Sequence, residues 1–161
     1  MFVIKQKINR VNHKYVRVRP FSSEDSLDMV LEIVNEAYKI EIGNTGIAFK
    51  ELDRLRDVSD IVKEETHLAL LGREIVGVVG IKLTKDKAHL GELSMSQPRR
   101  SKCWCTGPLA VRPGLQKRGI GKVLLNYAEK LRERCEVTVV SCRTDLVGYY
   151  QNRGYRYSVY C

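Results

Sequence analysis

The chain has no apolar run approaching the roughly 18 residues that a membrane-spanning helix needs. Its start, Met1 to Arg10, interleaves lysine and asparagine with apolar residues, so the continuous hydrophobic stretch of a signal peptide is missing too. No membrane partner is expected, and a cytoplasmic or nuclear location follows. Internal repeats, low-complexity tracts and linkers are also absent, so the 161 residues read as a single domain, residues 1–161. That length closes a hydrophobic core without disulfide or metal staples. The five cysteines, Cys103, Cys105, Cys135, Cys142 and Cys161, are odd in number and show neither a CxxC pair nor a zinc-type histidine spacing. They read as reduced thiols, and no metal is expected. The three histidines, His13, His67 and His89, are scattered near strands and read as structural or surface groups, with His89 set apart by its neighbour Glu92.

What the chain has in excess is positive charge, a formal +9, and its placement is informative. Arg99 to Arg134 holds ten basic residues against Glu129 and Glu133, a net +8, which leaves +1 for everything else. A nucleic-acid surface usually brings a reading helix or an aromatic-studded sheet motif, and neither is present. No nucleic acid is expected. Cations gathered around one glycine-rich turn suit a compact polyanion, such as the phosphates of a cofactor.

Along the chain, Tyr15 to Arg19 alternates like a strand. Ser22 and Asp25 resemble a capping box before a helix whose apolar residues, Leu27, Val30, Leu31, Val34, Ala37 and Tyr38, recur at helical spacing. Gly43-Asn44-Thr45-Gly46 reads as a turn, Phe49, Leu52 and Leu55 as a second helical stretch, and Ser59 as the cap of a short turn before Glu65. Thr66–Leu71 and Ile75–Leu83 form a hairpin across Gly72-Arg73-Glu74. Strand character returns in His89–Met95 and Trp104–Val111. Ile120, Val123, Leu124, Tyr127, Ala128 and Leu131 make a helical stripe, Val137–Val140 a buried strand, Thr144–Arg153 a short helix stopped by Gly154, and Tyr155–Tyr160 the last strand. The order β, α, α, β, β, β, α, β, α, β gives a mixed sheet with helices on its faces, an α/β class.

One connection carries chemistry. Leu109-Ala110-Val111 runs through Arg112-Pro113 into Gln116-Lys117-Arg118-Gly119-Ile120-Gly121 and then into the helical stripe. Glycines there allow backbone amides to converge, and the helix start adds partial positive charge, which together suit a pyrophosphate. The plainer reading is a connection that merely turns. A dinucleotide fingerprint would need GxGxxG early in the chain with a later acid, and a Walker loop would need Ser or Thr where Val123 stands.

The pattern Val-x-Pro followed by Gln-x-x-Gly-x-Gly resembles the cofactor loop of the GNAT superfamily of acyl-CoA N-acyltransferases. Tyr149-Tyr150-Gln151-Asn152-Arg153-Gly154-Tyr155 is similar to that family's aromatic-Tyr-x-x-x-Gly-aromatic signature. The resemblance covers Ile75 to Tyr157 and extends to the opening strand and helices. It implies a mixed, mostly antiparallel sheet of six to seven strands, splayed between the fourth and fifth, with helices on both faces. It implies acetyl-CoA as co-substrate, its arm paired with Leu109, Ala110 and Val111, and its pyrophosphate at Gln116, Lys117, Arg118, Gly119, Ile120, Gly121 and Lys122. Tyr150 then protonates the leaving thiolate while Tyr149 faces the core. The acceptor is a small-molecule or peptide amine.

Two departures stand against this. An asparagine common seven residues before the tyrosine is Arg143 here. The chain also stops at Cys161, where many relatives continue into another strand. Either the sheet lacks that strand, or Phe2 to Ile8 supplies an extra one, or a partner chain such as a second copy completes it.

An alkylamine is protonated at pH 7, so transfer from a thioester requires a base or a water chain. The amide of Val111 is the expected oxyanion donor. If Ser94–Thr106 is an insertion, Gly91-Glu92-Leu93 joins Gly107-Pro108-Leu109-Ala110-Val111 in one composite strand, and Glu92 becomes the base opposite Tyr150. Water with a solvent-facing Glu92 is the alternative. A covalent relay through Cys135 or Cys142 lacks a recognisable histidine. Tyr38, Glu41, Asn44, Phe49 and Arg54 are candidate substrate-side residues, each with an ordinary structural reading that weighs at least as much. A silent acyl-CoA binder and an unselective phosphate-binding nucleic-acid module are the readings from other classes.

Overall fold

The computed structural model describes residues 5–7, 15–45, 57–84, 103–131, 137–140 and 146–156. They form one sheet in the order β1-β2-β3-β4-β5-β6. Its strands are β1 Lys5–Lys7, β2 Tyr15–Pro20, β3 Thr66–Leu71, β4 Glu74–Thr84, β5 Cys103–Val111 and β6 Val137–Val140. Every neighbouring pair is antiparallel except β5 and β6. The helices are α1 Leu27–Thr45, α2 Ile120–Leu131 and α3 Val147–Gln151.

The two faces of the sheet carry separate cores. Val16 and Val18 of β2 alternate with exposed Tyr15 and Arg17, and they join Ala69, Val76, Val79 and Ile81 under the α2 stripe Ile120, Val123, Leu124, Tyr127 and Ala128. Leu68, Leu70, Val78 and Ala110 point the other way, against Val30, Ile33, Val34 and Ala37 of α1. β3 is buried on both faces for this reason, which explains its nearly unbroken apolar run. Each fully buried Leu or Ile contributes about 1.5–3 kcal/mol, so the five-residue stripe outweighs any helix-propensity term in docking α2.

Several expectations are corrected. Asp25 does accept the Ser22 N–H (2.7 Å), as in a capping box, but inside a turn that precedes the helix. The cap itself is Ser26, whose Oγ accepts the Met29 N–H (3.2 Å). Asp25 is occupied by a two-pronged bond with Arg19, at 2.6 and 2.7 Å. Gly43-Asn44-Thr45 is not a turn: α1 runs through Thr45, since glycine weakens a helix without ending it. At the short 3₁₀ turn Val58–Asp60, Asp57 rather than Ser59 caps, its Oδ1 accepting the Ser59 N–H (2.7 Å). The expected helix around Phe49 to Leu55 and the strand His89–Met95 lie outside the described residues, as does the last expected strand beyond Arg156; Tyr155 and Arg156 are not in a strand. Lys5–Lys7 pairs with β2, so the amino-terminal segment does add a strand.

The largest correction concerns the fourth strand of the expected order, which is β5. Cys103, Trp104, Cys105 and Thr106 pair with Thr84, Leu83, Lys82 and Ile81, and the strand continues without interruption into Leu109–Val111. Residues 103–106 are therefore strand, not the tail of an insertion, while Gly91-Glu92-Leu93 lies outside the described residues.

Candidate functional site

β5 changes partners along its length. Its first half, Cys103–Thr106, lies between β4 and β6. The register then shifts: Thr106 stands opposite Ile81 and Leu109 opposite Val79, so Gly107 and Pro108 together face Gly80. Pro108 has no N–H to give a ladder, and a bulge is where a strand tolerates it. Past this point β5 keeps β4, and among the described residues its pairing with β6 runs only to Thr106↔Val140.

The parity of the ladder decides which backbone groups turn away from β4. Arg112 N–H donates to Val76 (2.9 Å), with Val111 opposite Gly77 and Ala110 opposite Val78. Hydrogen-bonded and non-bonded pairs alternate in an antiparallel ladder, so Ala110 and Arg112 turn their amides and carbonyls to β4. Leu109 and Val111 turn theirs to the opposite edge. There the Val111 carbonyl accepts Gln116 Nε2 (3.2 Å), and the Leu109 groups and the Val111 N–H share that side.

From Val111 the chain enters a tight loop. Leu115 N–H closes on the Arg112 carbonyl (3.0 Å), and three residues are left-handed, Gly114 at φ +79°, Lys117 at φ +58° and Gly119 at φ +92°. A lysine there costs on the order of 1–2 kcal/mol, a kind of backbone strain frequent at ligand sites. Gly119 accepts the Val123 N–H (3.1 Å) and so starts α2, whose first amides, those of Ile120, Gly121 and Lys122, have no carbonyl one turn back. Lys117, Arg118 and Lys122 are exposed around this helix start, and its first turn holds no acid. Two walls hold the loop. Arg112 reaches back to the Ile75 carbonyl (3.4 Å) and the Met29 sulfur (3.1 Å). Behind the strand end, a side chain at Gly77 would come within 3.0 Å of both the Ala110 carbonyl and Leu124, so glycine is what lets α2 lie this close.

The tyrosine turn differs in make. Tyr150 is 7% exposed and sits edge-on between Tyr149 and Tyr155, ring centroids 5.3 and 5.6 Å away. Tyr149 is 40% exposed, correcting the expectation that it faces the core. The Arg153 guanidinium lies 5.8 Å from its ring and favours that outward position. Arg153 also bonds Glu129 and Asn126 of α2.

Of the expected site residues, the structure puts Gln116 through Lys122 in one loop and helix start, with Leu109 and Val111 leading into it. Ala110 lies in the same strand, but its side chain is in the α1 core and its backbone faces β4. Gln116 spends its side chain on the Val111 carbonyl. Tyr150 is on α3, and Glu92 lies outside the described residues. Phe49 and Arg54 do too, while Tyr38 packs half-buried against the α1 core. His67 is buried against the Tyr127 ring (5.3 Å), and burial pushes its pKa down against an opposing backbone hydrogen bond at Glu65. Sequence reasoning missed Arg153 and Glu129. The visible signal was Glu129 itself, one of two acids in a strongly basic stretch.

Comparison with known proteins agrees with this geometry. The Acetyltransferase (GNAT) family model matches residues 27–155. The chain belongs to the GNAT acetyltransferase family. No curated protein matches it significantly. Among solved structures it resembles a transcriptional regulator from Bacillus halodurans C-125 (16% identity, TM-score 0.66, 91% of this chain and 96% of that one). It also resembles an aminoglycoside acetyltransferase from an uncultured soil metagenomic sample (21%, 0.62, 91% and 95%). A third is the glucosamine-6-phosphate N-acetyltransferase of Arabidopsis thaliana (11%, 0.62, 91% and 95%). At these identities the likeness is one of fold, and a shared fold does not carry a substrate with it.

Proposed function

We propose that this protein is an acetyl-CoA-dependent N-acetyltransferase that passes the acetyl group directly to a primary amine of a small molecule or peptide. The observation that carries the reading is the strand edge at Leu109 and Val111, which lies beyond the last described pair with β6 and leads straight into the amides and cations at Gly119–Lys122. A pantetheine arm is an amide chain, and an unpaired strand edge receives it as it would an added strand. The helix start and Lys117, Arg118 and Lys122 then suit the pyrophosphate. Leu109 receives the arm through its backbone atoms, while Gln116 closes on the Val111 carbonyl, the Val111 N–H is left for the reacting carbonyl, and Ala110 serves as support.

In the reaction, the neutral amine forms a bond to the thioester carbonyl carbon and the carbon–sulfur bond breaks. Negative charge develops first on the carbonyl oxygen, where the Val111 N–H is the donor. It then passes to the sulfur, where Tyr150 supplies the proton, and the proton lost by the amine leaves through Glu92 or water. This chemistry balances without a metal or a redox partner.

Thiol release from acetyl-CoA across amines, amino acids, amino sugars and peptides, together with calorimetric CoA titration, tests the reading. Release with one acceptor class supports it. Binding with no release across the panel makes the protein a silent acyl-CoA binder, and salt-sensitive duplex binding that CoA cannot compete sinks the reading altogether. Glu92→Gln should recover activity at high pH, where a base is least needed; wild-type activity at neutral pH assigns the proton to water.

A further inference from the structure

The tyrosine turn and the glycine-loop helix meet through one arginine. Arg153 Nε lies 3.2 Å from Glu129 Oε1 and its Nη2 2.9 Å from Oε2, while Nη2 also donates to Asn126 Oδ1. The Arg153 and Glu129 side chains are 16% and 24% exposed. Hydrogen bonding to Glu129 holds the guanidinium proton more tightly than usual, against the opposing effect of burial. Glu129 and Asn126 are three residues apart on α2, so the fork grips nearly one helical turn. On its backbone side, Arg153 N–H donates to the Tyr150 carbonyl (3.0 Å), which also accepts Tyr155 N–H (3.2 Å). One residue is thus bonded by its main chain to Tyr150 and by its side chain to α2.

We propose that Arg153 is a positioning residue, docking the turn that bears Tyr150 onto α2 so that the phenol keeps its place relative to the glycine loop opening the same helix. The inference rests on the acetyl-transfer reading with Tyr150 as acid. α3 spans five residues and cannot hold its own orientation as an isolated helix. A two-pronged guanidinium fixes both distance and angle, which a lysine ammonium does not. A partly exposed ion pair adds little to global stability, so its effect falls on local orientation. Glu129 lies more than two helical turns from Gly119, so cofactor affinity is insulated from the contact.

The test is a double-mutant cycle between Arg153→Lys and Tyr150→Phe, with kcat, CoA affinity and thermal midpoint measured for each. Arg153→Lys should lower kcat about tenfold, the scale expected of a misplaced reacting group, with CoA affinity and midpoint unchanged. Placed on Tyr150→Phe, it should cost less than about twofold more, because two residues acting through one group do not add. The swap Arg153→Glu with Glu129→Arg should recover kcat relative to Arg153→Glu alone. Fully additive losses, an equal fall in CoA affinity, or normal kcat in Arg153→Lys overturn the inference and leave the acetyl-transfer reading standing. Normal turnover by Tyr150→Phe removes the acid and this inference together, and failure of the wild type to bind CoA removes the reading beneath both.

Discussion

At the glycine loop Lys117, Arg118 and Lys122 are exposed and the backbone carries the geometry, through left-handed Lys117 and Gly119, the parity of β5 and the first amides of α2. At the tyrosine turn the backbone is an ordinary short helix, and buried rings with an ion pair carry the geometry. The two regions therefore differ in what they tolerate. The loop accepts changes of side chain wherever the conformation survives, and the tyrosine turn accepts backbone looseness only as far as Arg153 corrects it.

The widest separation between them comes from Tyr150→Phe, expected to lower kcat about 10²-fold with CoA affinity intact, the scale of a lost general acid. Tyr149→Phe, at an exposed ring, should stay near wild type; the reverse pattern would assign the acid to Tyr149. Next in size are the loop glycines. At Gly121 the nearest atom to an added Cβ is Val111 Cγ2 at 3.8 Å, an ordinary contact, so Gly121→Val should fold normally yet bind CoA about tenfold or more weakly. Gly119→Val should lose stability as well, since φ +92° strains any side-chain-bearing residue. Equal CoA affinity in a folded Gly121→Val protein would falsify the backbone half of the comparison.

Gly77→Ala probes the scaffold under both regions. Contacts of 3.0 Å to the Ala110 carbonyl and to Leu124 should cost about 1–3 kcal/mol in chemical denaturation, the range for overpacking. The smallest effects are in pH. Bonding to Arg19 first, then the Ser22 amide and hydroxyl, brings the Asp25 carboxyl to about 2 against desolvation. Its contribution to stability is present above the ordinary value of 3.8 and is lost as pH falls toward 2. His67 is a base with a lowered pKa, so the unfolded chain takes up a proton that the folded one refuses, and stability drops as pH falls below 6.5. Thermal midpoints against pH should show both limbs, with His67→Gln flattening the upper one and Asp25→Asn the lower.

Much of this was legible in advance where a pattern is local. The α2 stripe, the β3–β4 hairpin, Val137–Val140 and the loop from Val111 to Gly121 were read from periodicity and spacing, and each has the bounds or nearly the bounds expected. Errors gathered where two segments compete for one role. Ser22 and Ser26 competed for the helix cap, and Leu93 and Thr106 for the place before Gly107.

The sequence by itself determined the class of fold, the family and the position of the glycine loop, because apolar periods and turn residues act on neighbours a few positions away. The tertiary structure decided that β5 enters from Cys103 and that Leu109 and Val111, not Ala110, turn their backbone away from β4. It also put Tyr150 inward with Tyr149 outward, and gave Glu129 to Arg153. The strand assignments and the Arg153–Glu129 pair depend on register or on a partner more than twenty residues away in the chain, and a shift of one residue in register reverses every strand group, so no local pattern could have chosen among them.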